Sequence, residues 1–195
     1  MTDPRELFLA LDQSTSATKA MLFTTEGKLV DQKSISHRQI YPRPGWVEHD
    51  AEEIYQNVRS AIGALLECNS DRWNNLLALS ITNQRETFVI FDRETGEPLH
   101  NAIVWQCRRG DDVCKQLVDA GKEDIVHSLT GLKIDTYFPA SKLRWLLDDK
   151  PELAKRLKEG SALFGTIDTY LVYRLTGCNV YATDHTNASR TLLYD

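Results

Sequence analysis

The sequence predicts an α/β fold, a mixed β-sheet flanked by helices. Short apolar runs of strand length alternate with stretches whose apolar residues recur every three or four positions. The first three strand-like runs are joined by turns too short for a parallel crossover, so they must pair antiparallel. Later strands follow helices, which makes parallel pairing available to them.

Leu7 to Leu11 is a continuous apolar run, the pattern of a strand buried on both faces. Asp12 to Thr18 is a polar turn, and Ala20 to Phe23 resumes the apolar pattern. Thr24 to Lys28 contains a glycine and reads as a hairpin turn. Leu29 to Ser36 is a more polar third strand, suited to a sheet edge. Pro42 and Pro44 keep Tyr41–Gly45 out of helix and central strand, because proline lacks a backbone donor. A helix begins after Asp50, with Glu53 at the capping-box position and Ile54, Val58, Ala61, Ile62 and Leu65 on one stripe.

Leu76 to Ile81 and Thr87 to Phe91 read as buried strands, separated by Thr82–Glu86. Arg93 to Pro98 is a turn, Ile103 to Trp105 a short strand, and about 111–120 a helix. Pro139 suits the first turn of a helix carrying Leu143, Leu146 and Leu147, which must end before Pro151. Pro151 opens another helix that Gly160 closes. Ala162 to Gly165 is a strand, and Asp168 to Leu175 a helix with Gly177 beyond it.

At 195 residues the chain is long enough for one domain with a self-sufficient core, burying roughly 70% of its unfolded surface. With 23 Lys plus Arg against 28 Asp plus Glu, the net charge of −5 argues against nucleic-acid binding by bulk charge. The N-terminus Met-Thr-Asp-Pro-Arg-Glu is charged, and the apolar run behind it is too short for a signal peptide or a membrane span. Four cysteines without zinc spacing read as reduced thiols of a cytoplasmic protein. Three familiar signals fail. Gly160 to Gly165 has P-loop glycine spacing but lacks the Lys-Ser/Thr that should follow. No Gly-x-Gly occurs, and the sequon at Asn187 has no meaning in a cytoplasmic chain.

Three clusters carry candidate chemistry. In the turn after the first strand, Asp12 offers a carboxylate for magnesium, and Ser14, Thr15 and Ser16 offer hydroxyls to phosphate oxygens. Lys19 adds a positive charge. Such polar runs also serve as plain Asx or Ser/Thr turns, their commoner use. Arg85 and Glu86 place a donor fork beside an acceptor, which suits polyol hydroxyls, although two solvated charges at a strand end would read the same. Trp105 and Tyr137 provide an apolar wall with one hydroxyl, or else ordinary core packing.

Together these segments resemble the N-terminal part of the FGGY family of carbohydrate kinases, in its glycerol-phosphorylating branch. The matching stretches are 11–16, 41–50, 81–87, 101–109, 130–132, 137–138, 163–169 and 183–191, spread in order along nearly the whole chain. The resemblance implies an actin-like, ribonuclease-H-like fold and one N-terminal FGGY domain over residues 1–195. It implies magnesium-dependent transfer of the ATP γ-phosphoryl to glycerol, giving glycerol 3-phosphate. Asp12 falls on the magnesium-associated aspartate, and Ser14, Thr15, Ser16 and Lys19 on nucleotide-phosphate positions. Arg85, Glu86, Trp105 and Tyr137 fall on the glycerol positions.

Three places depart from the family's pattern: Ser14 stands where Gly is usual, Lys19 where Arg is frequent, and Pro139-Ala140 replaces the usual Ser-Gly after Tyr-Phe. Lysine keeps the charge but not the bidentate fork. The resemblance also implies a longer protein that assembles as a homo-oligomer, with the general-base aspartate beyond residue 195. No catalytic base is therefore expected within this chain, and the chain alone is expected to be inactive. Other polyol or sugar kinases (xylulose, gluconate) and a non-catalytic binding module remain the competing readings.

Overall fold

A computed structural model describes residues 6–194. The N-terminal residues Met1 to Arg5, on which the reading of a charged terminus begins, lie outside the described residues, as does Asp195. In chain order the strands are β1 (Leu7–Gln13), β2 (Ala17–Thr24), β3 (Leu29–Ser36), β4 (Glu48–His49), β5 (Leu76–Asn83), β6 (Phe88–Asp92), β7 (Ala102–Ile103) and β8 (Ala162–Thr166). The helices are α1 (Ala51–Cys68), α2 (Asp111–Asp119), α3 (Glu123–Thr130), α4 (Pro139–Asp149), α5 (Pro151–Glu159), α6 (Ile167–Leu175) and α7 (His185–Ala188). The chain divides into two compact units, one running through Arg38 and resuming over Glu52–Gln84, the other made of Gln39–Ala51 and the residues from Arg85 onward.

The first unit holds a four-stranded sheet in the order β3-β2-β1-β5. The short connections make β1–β2 and β2–β3 antiparallel, while β5 returns after α1 and pairs parallel to β1. The sheet is therefore mixed, as the connection lengths require. Leu7, Leu9, Leu11, Ala20 and Leu22 form one buried strand face, and Ile54, Val58, Ala61 and Leu65 form the buried stripe of α1. At about 1.5–3 kcal/mol for each large side chain, this apolar layer dominates the unit's stability. Polar bonds fix the helix against the sheet: Asn57 donates to the Ser36 carbonyl, and Asn69 to the Asp31 carboxylate. Glu53 accepts from the Arg38 backbone N–H and guanidinium.

Two strand expectations need correction here. β1 is buried on one face only, with Phe8 on the other face 41% exposed. β5 is not a buried strand, since Leu77 and Leu79 are exposed. Among the described residues of this unit the long helix is α1, and one helix covers one face. β5 also lies at the sheet edge. Continuous apolar sequence records the wish to be buried on two faces; it does not supply the second layer.

The second unit holds its own four-stranded sheet, β4-β7-β6-β8, antiparallel throughout. Phe88, Val89, Ile90 and Phe91 of β6 are all buried, so this strand does sit between two layers. Phe88, Ile90, Ile103, Val104, Leu146 and Leu153 belong to one core, on which Trp46, Trp145 and Leu143 pack. Phe91 packs beyond it on Tyr170 and Tyr173 of α6. Pro139 and Pro151 occupy first helical turns, and Gly160 ends α5 at φ +75°, a left-handed conformation open to glycine without strain. The rejected glycine pair thus has a structural use: Gly160 caps a helix and Gly165 lies in β8. Gly110 leads into α2 so close to α4 that a Cβ there would stand 2.5 Å from Ser141 Oγ.

Candidate functional site

The polar turn lies in the first unit. Regular strand reaches further than the sequence suggests: β1 continues through Asp12 and Gln13, and β2 already includes Thr18 and Lys19. Asp12 and Lys19 are consequently cross-strand partners, opposite each other on the same face of the sheet. Only Ser14, Thr15 and Ser16 form the turn itself.

Side chains and backbone of neighbouring segments hold this turn by its carbonyls. Gln13 Nε2 donates to the Ser14 carbonyl at 2.8 Å, and Gln84 Nε2 reaches the same oxygen at 3.3 Å. Gln84 Nε2 also donates to Gln13 Oε1, and its backbone N–H to the Gln13 carbonyl. His37 Nε2 donates to the Thr15 carbonyl at 2.9 Å, and the His37 backbone N–H to that of Ser16. Burial lowers the His37 imidazole below its ordinary value. With its carbonyl oxygens engaged this way, the turn is less repulsive to an anion than a bare loop would be. Ser14 plays a structural part: its hydroxyl donates to the Ala17 carbonyl at 3.0 Å and accepts from the Ala17 N–H at 3.2 Å.

The second cluster lies in the other unit. Glu86 sits between β5 and β6 in the left-handed region, at φ +64°, with its side chain buried. For a residue with a Cβ this conformation costs on the order of 1 kcal/mol and persists only where the surroundings enforce it. Arg190 supplies part of that enforcement, its Nε donating to Glu86 Oε1 at 2.6 Å. The Arg190 guanidinium also lies over the rings of Tyr137, at 5.7 Å, and Phe138, at 5.0 Å. Tyr137 in turn meets Trp105, with ring centroids 5.4 Å apart at 57°. Trp105 is anchored by its backbone N–H, which donates to Thr87 Oγ1.

Glu86, Tyr137 and Trp105 are thus linked through direct contacts and Arg190. Arg85 is not: its side chain is exposed and makes no hydrogen bond or ion pair with another described residue. Trp105 and Tyr137 also line a cavity of about 580 Å³, together with Gln106, Arg108, Asp111 and Asp135. Sequence reasoning missed Arg190 as a site residue, although it stands inside the matching stretch 183–191. It also missed Lys142, which is buried in α4 beneath the aromatic pair. A lysine at a helical position that should be apolar was the available signal.

Among the described residues, no three His, Cys, Asp or Glu side chains cluster to hold a metal ion, and no helix is long and apolar enough to cross a membrane. The sheet topology, with its two antiparallel hairpin connections and parallel return, is that of an actin-like, ribonuclease-H-like kinase domain. The chain belongs to the FGGY family of carbohydrate kinases, whose N-terminal domain its residues 7–195 match. It is 46% identical over 185 residues to glycerol kinase 1 of Thermotoga maritima, covering 95% of this chain and 38% of that protein. It is 48% identical over 187 residues to the glycerol kinase of Symbiobacterium thermophilum, covering 96% and 38%. The crystal structure of Plasmodium falciparum glycerol kinase with ADP superimposes with a TM-score of 0.92 at 37% identity, covering 97% of this chain and 38% of that one. Gluconate kinase from Lactobacillus acidophilus gives a TM-score of 0.84 at 25% identity, covering 96% and 36%. The chain therefore spans about two fifths of the length of the curated relatives it matches.

Proposed function

We propose that this chain is the N-terminal, substrate-holding domain of an enzyme that transfers the γ-phosphoryl group of ATP to a terminal hydroxyl of glycerol. The observation that carries this reading is the buried carboxylate of Glu86, held beside an aromatic pair by Arg190. A carboxylate accepts hydrogen bonds from alcohols, and one oxygen bound to Arg190 leaves the other for a polyol. Trp105 and Tyr137 supply an apolar surface for the three-carbon chain and a phenol for a further hydroxyl. Arg85 donates to a hydroxyl from its exposed position. The same substrate appears in the names of the relatives nearly half identical to this chain.

On the nucleotide side, we assign phosphate contact to Thr15, Ser16 and Lys19, with Ser14 closing the turn that presents them. The donor set fits a magnesium ion: Mg²⁺ takes one or two protein carboxylates and completes its shell with water and phosphate oxygens. Asp12, half-buried at the end of β1, offers such a carboxylate. The ion would supply charge neutralisation at the phosphates. The residues of this chain orient the hydroxyl and the phosphates, which is most of what phosphoryl transfer asks of a protein. A general base for the hydroxyl is assigned to the residues that follow 195. In this reading the protein works in the cytoplasm, where ATP is available.

A coupled ADP-release assay on the longer protein tests the proposal. Glycerol, xylulose and gluconate are supplied separately. Turnover with glycerol and little with the sugars is expected; turnover with xylulose or gluconate alone overturns the assignment.

A further inference from the structure

Lys142 lies in the first turns of α4 and is wholly buried. Its Nζ donates to three main-chain carbonyls: Val104 at 3.3 Å, Trp105 at 3.1 Å and Tyr137 at 3.2 Å. An ammonium group has three N–H donors and no acceptor, so these oxygens use its whole capacity. Two of the three belong to the residues whose rings meet at 5.4 Å. One side chain thereby joins the segment after β7 to the segment before α4, at the point where each contributes its aromatic.

We propose that Lys142 is a positioning residue of the polyol pocket, its ammonium pinning the main chains of Trp105 and Tyr137 so that their rings stand at the spacing glycerol requires. This rests on the glycerol reading of the aromatic pair. The charge state matters because a neutral amine has two donors and a lone pair. One of the three carbonyls would then face that lone pair instead of a proton, and the cage would lose a bond and gain a repulsion.

Burial pushes the Lys142 ammonium down to about 8. Around it stand Cys107 and Arg109 after β7, Glu86 before β6, Asp135 before α4 and Cys114 on α2. Cys107, Glu86 and Asp135 favour the proton and Arg109 opposes it. The glycerol pocket is consequently at full strength at neutral pH and weakens as the solution becomes mildly alkaline. If only the protonated form is competent, apparent affinity falls by about tenfold one pH unit above the midpoint.

The test is glycerol titration calorimetry on the wild-type protein at intervals from pH 7 to 9, with Lys142→Met and Lys142→Arg alongside. The expected wild-type dissociation constant rises about tenfold across that range, with its midpoint near 8. Lys142→Met is expected to bind weakly with no slope. Lys142→Arg keeps a charge that does not titrate, so whatever affinity it retains is flat with pH. A flat wild-type profile, or a Lys142→Met protein that keeps both affinity and slope, overturns the proposal.

Absence of any glycerol binding by the wild type at pH 7 overturns the glycerol reading instead. Lys142 is then judged by the fluorescence of Trp105, taken as the difference between wild type and Trp105→Phe. A transition near pH 8 that Lys142→Met lacks supports the pinning role. No transition overturns it.

Discussion

Arg190 Nε donates to Glu86 Oε1 at 2.6 Å, joining the segment between β5 and β6 to the residues after α7 across 104 positions of sequence. The bond keeps a carboxylate buried in a left-handed backbone conformation beside two aromatic rings. Neither feature would persist alone, since an unpaired buried charge and a strained Glu each oppose folding.

Arg190→Ala should therefore lower stability and glycerol affinity together. About 2 kcal/mol of stability is expected, less than the ~3–5 of a fully enclosed pair, because the Arg190 side chain is 31% exposed. Glu86→Gln should bring a smaller loss of stability but a glycerol affinity at least tenfold weaker. A double-mutant cycle on denaturant melts and glycerol titrations separates the two effects; coupling above about 0.5 kcal/mol marks the pair as a unit.

Ser14 should matter to the turn more than to the nucleotide. Its hydroxyl both donates to and accepts from Ala17, so Ser14→Ala should cost about 1 kcal/mol of stability while moving the KM for ATP less than threefold. Lys19→Ala removes a phosphate charge under the present assignment, and should raise that KM by about tenfold. Steady-state kinetics on the longer protein give both numbers.

The His37 imidazole, lowered by burial while it supports the Thr15 carbonyl, makes stability fall on acidification. The unfolded chain takes up this proton near the ordinary 6.5 and the folded one only at lower pH. Between those two values the unfolded state binds more protons, so stability rises with pH and is lost as pH falls below about 6.5. Thermal melts between pH 5 and 7 should show this slope, and His37→Gln should flatten it. The carboxylates of Asp31, Asp92 and Asp184 are held below the usual range and titrate outside that window.

Arg109 should be the most costly single charge to remove from the second unit. Its NH2 group donates to Glu48 Oε1 at 2.5 Å, with both side chains nearly inaccessible, and its guanidinium lies 4.3 Å from the Trp46 ring centroid and 5.3 Å from that of Trp145. Arg109→Ala is expected to cost about 3–5 kcal/mol, lowering the thermal midpoint by roughly 10 °C. Arg109→Lys should recover only part of this, because an ammonium offers neither a planar face to the Trp46 and Trp145 rings nor a planar fork to Glu48.

The legible parts of the fold are those with local causes. Prolines at 139 and 151 and the glycine at 160 mark their helix ends through backbone geometry alone, and the stripe from Ile54 to Leu65 marks α1. β4 has two residues and exists because β7 lies beside it, so no periodicity could announce it. α3 buries none of its residues: Ile125 and Leu129, an apolar pair at helical spacing, are both exposed, so its stripe faces no core among the described residues. α7 is a single turn, held by the Asp184 carboxylate accepting from the Thr186 and Asn187 N–H groups.

The candidate site divides the same way. Residue types at Asp12, Glu86, Trp105 and Tyr137 are visible in one dimension, and their chemistry suggests a use. The partners that hold them are not, because Gln84 reaches Gln13 across 71 positions and Lys142 reaches Val104 across 38. Lys19 shows the limit from the other direction. As a loop cation it would be free to swing toward a phosphate, whereas in β2 its backbone is fixed opposite Asp12.

Phosphorus NMR of the longer protein with ATP, magnesium and glycerol tests the central claim most directly. The account predicts a phosphomonoester resonance of glycerol 3-phosphate that grows as the γ-phosphate signal of ATP declines, and that is nearly lost in Glu86→Gln. ATP consumed without a glycerol phosphomonoester, or formation unaffected by Glu86→Gln, would contradict it.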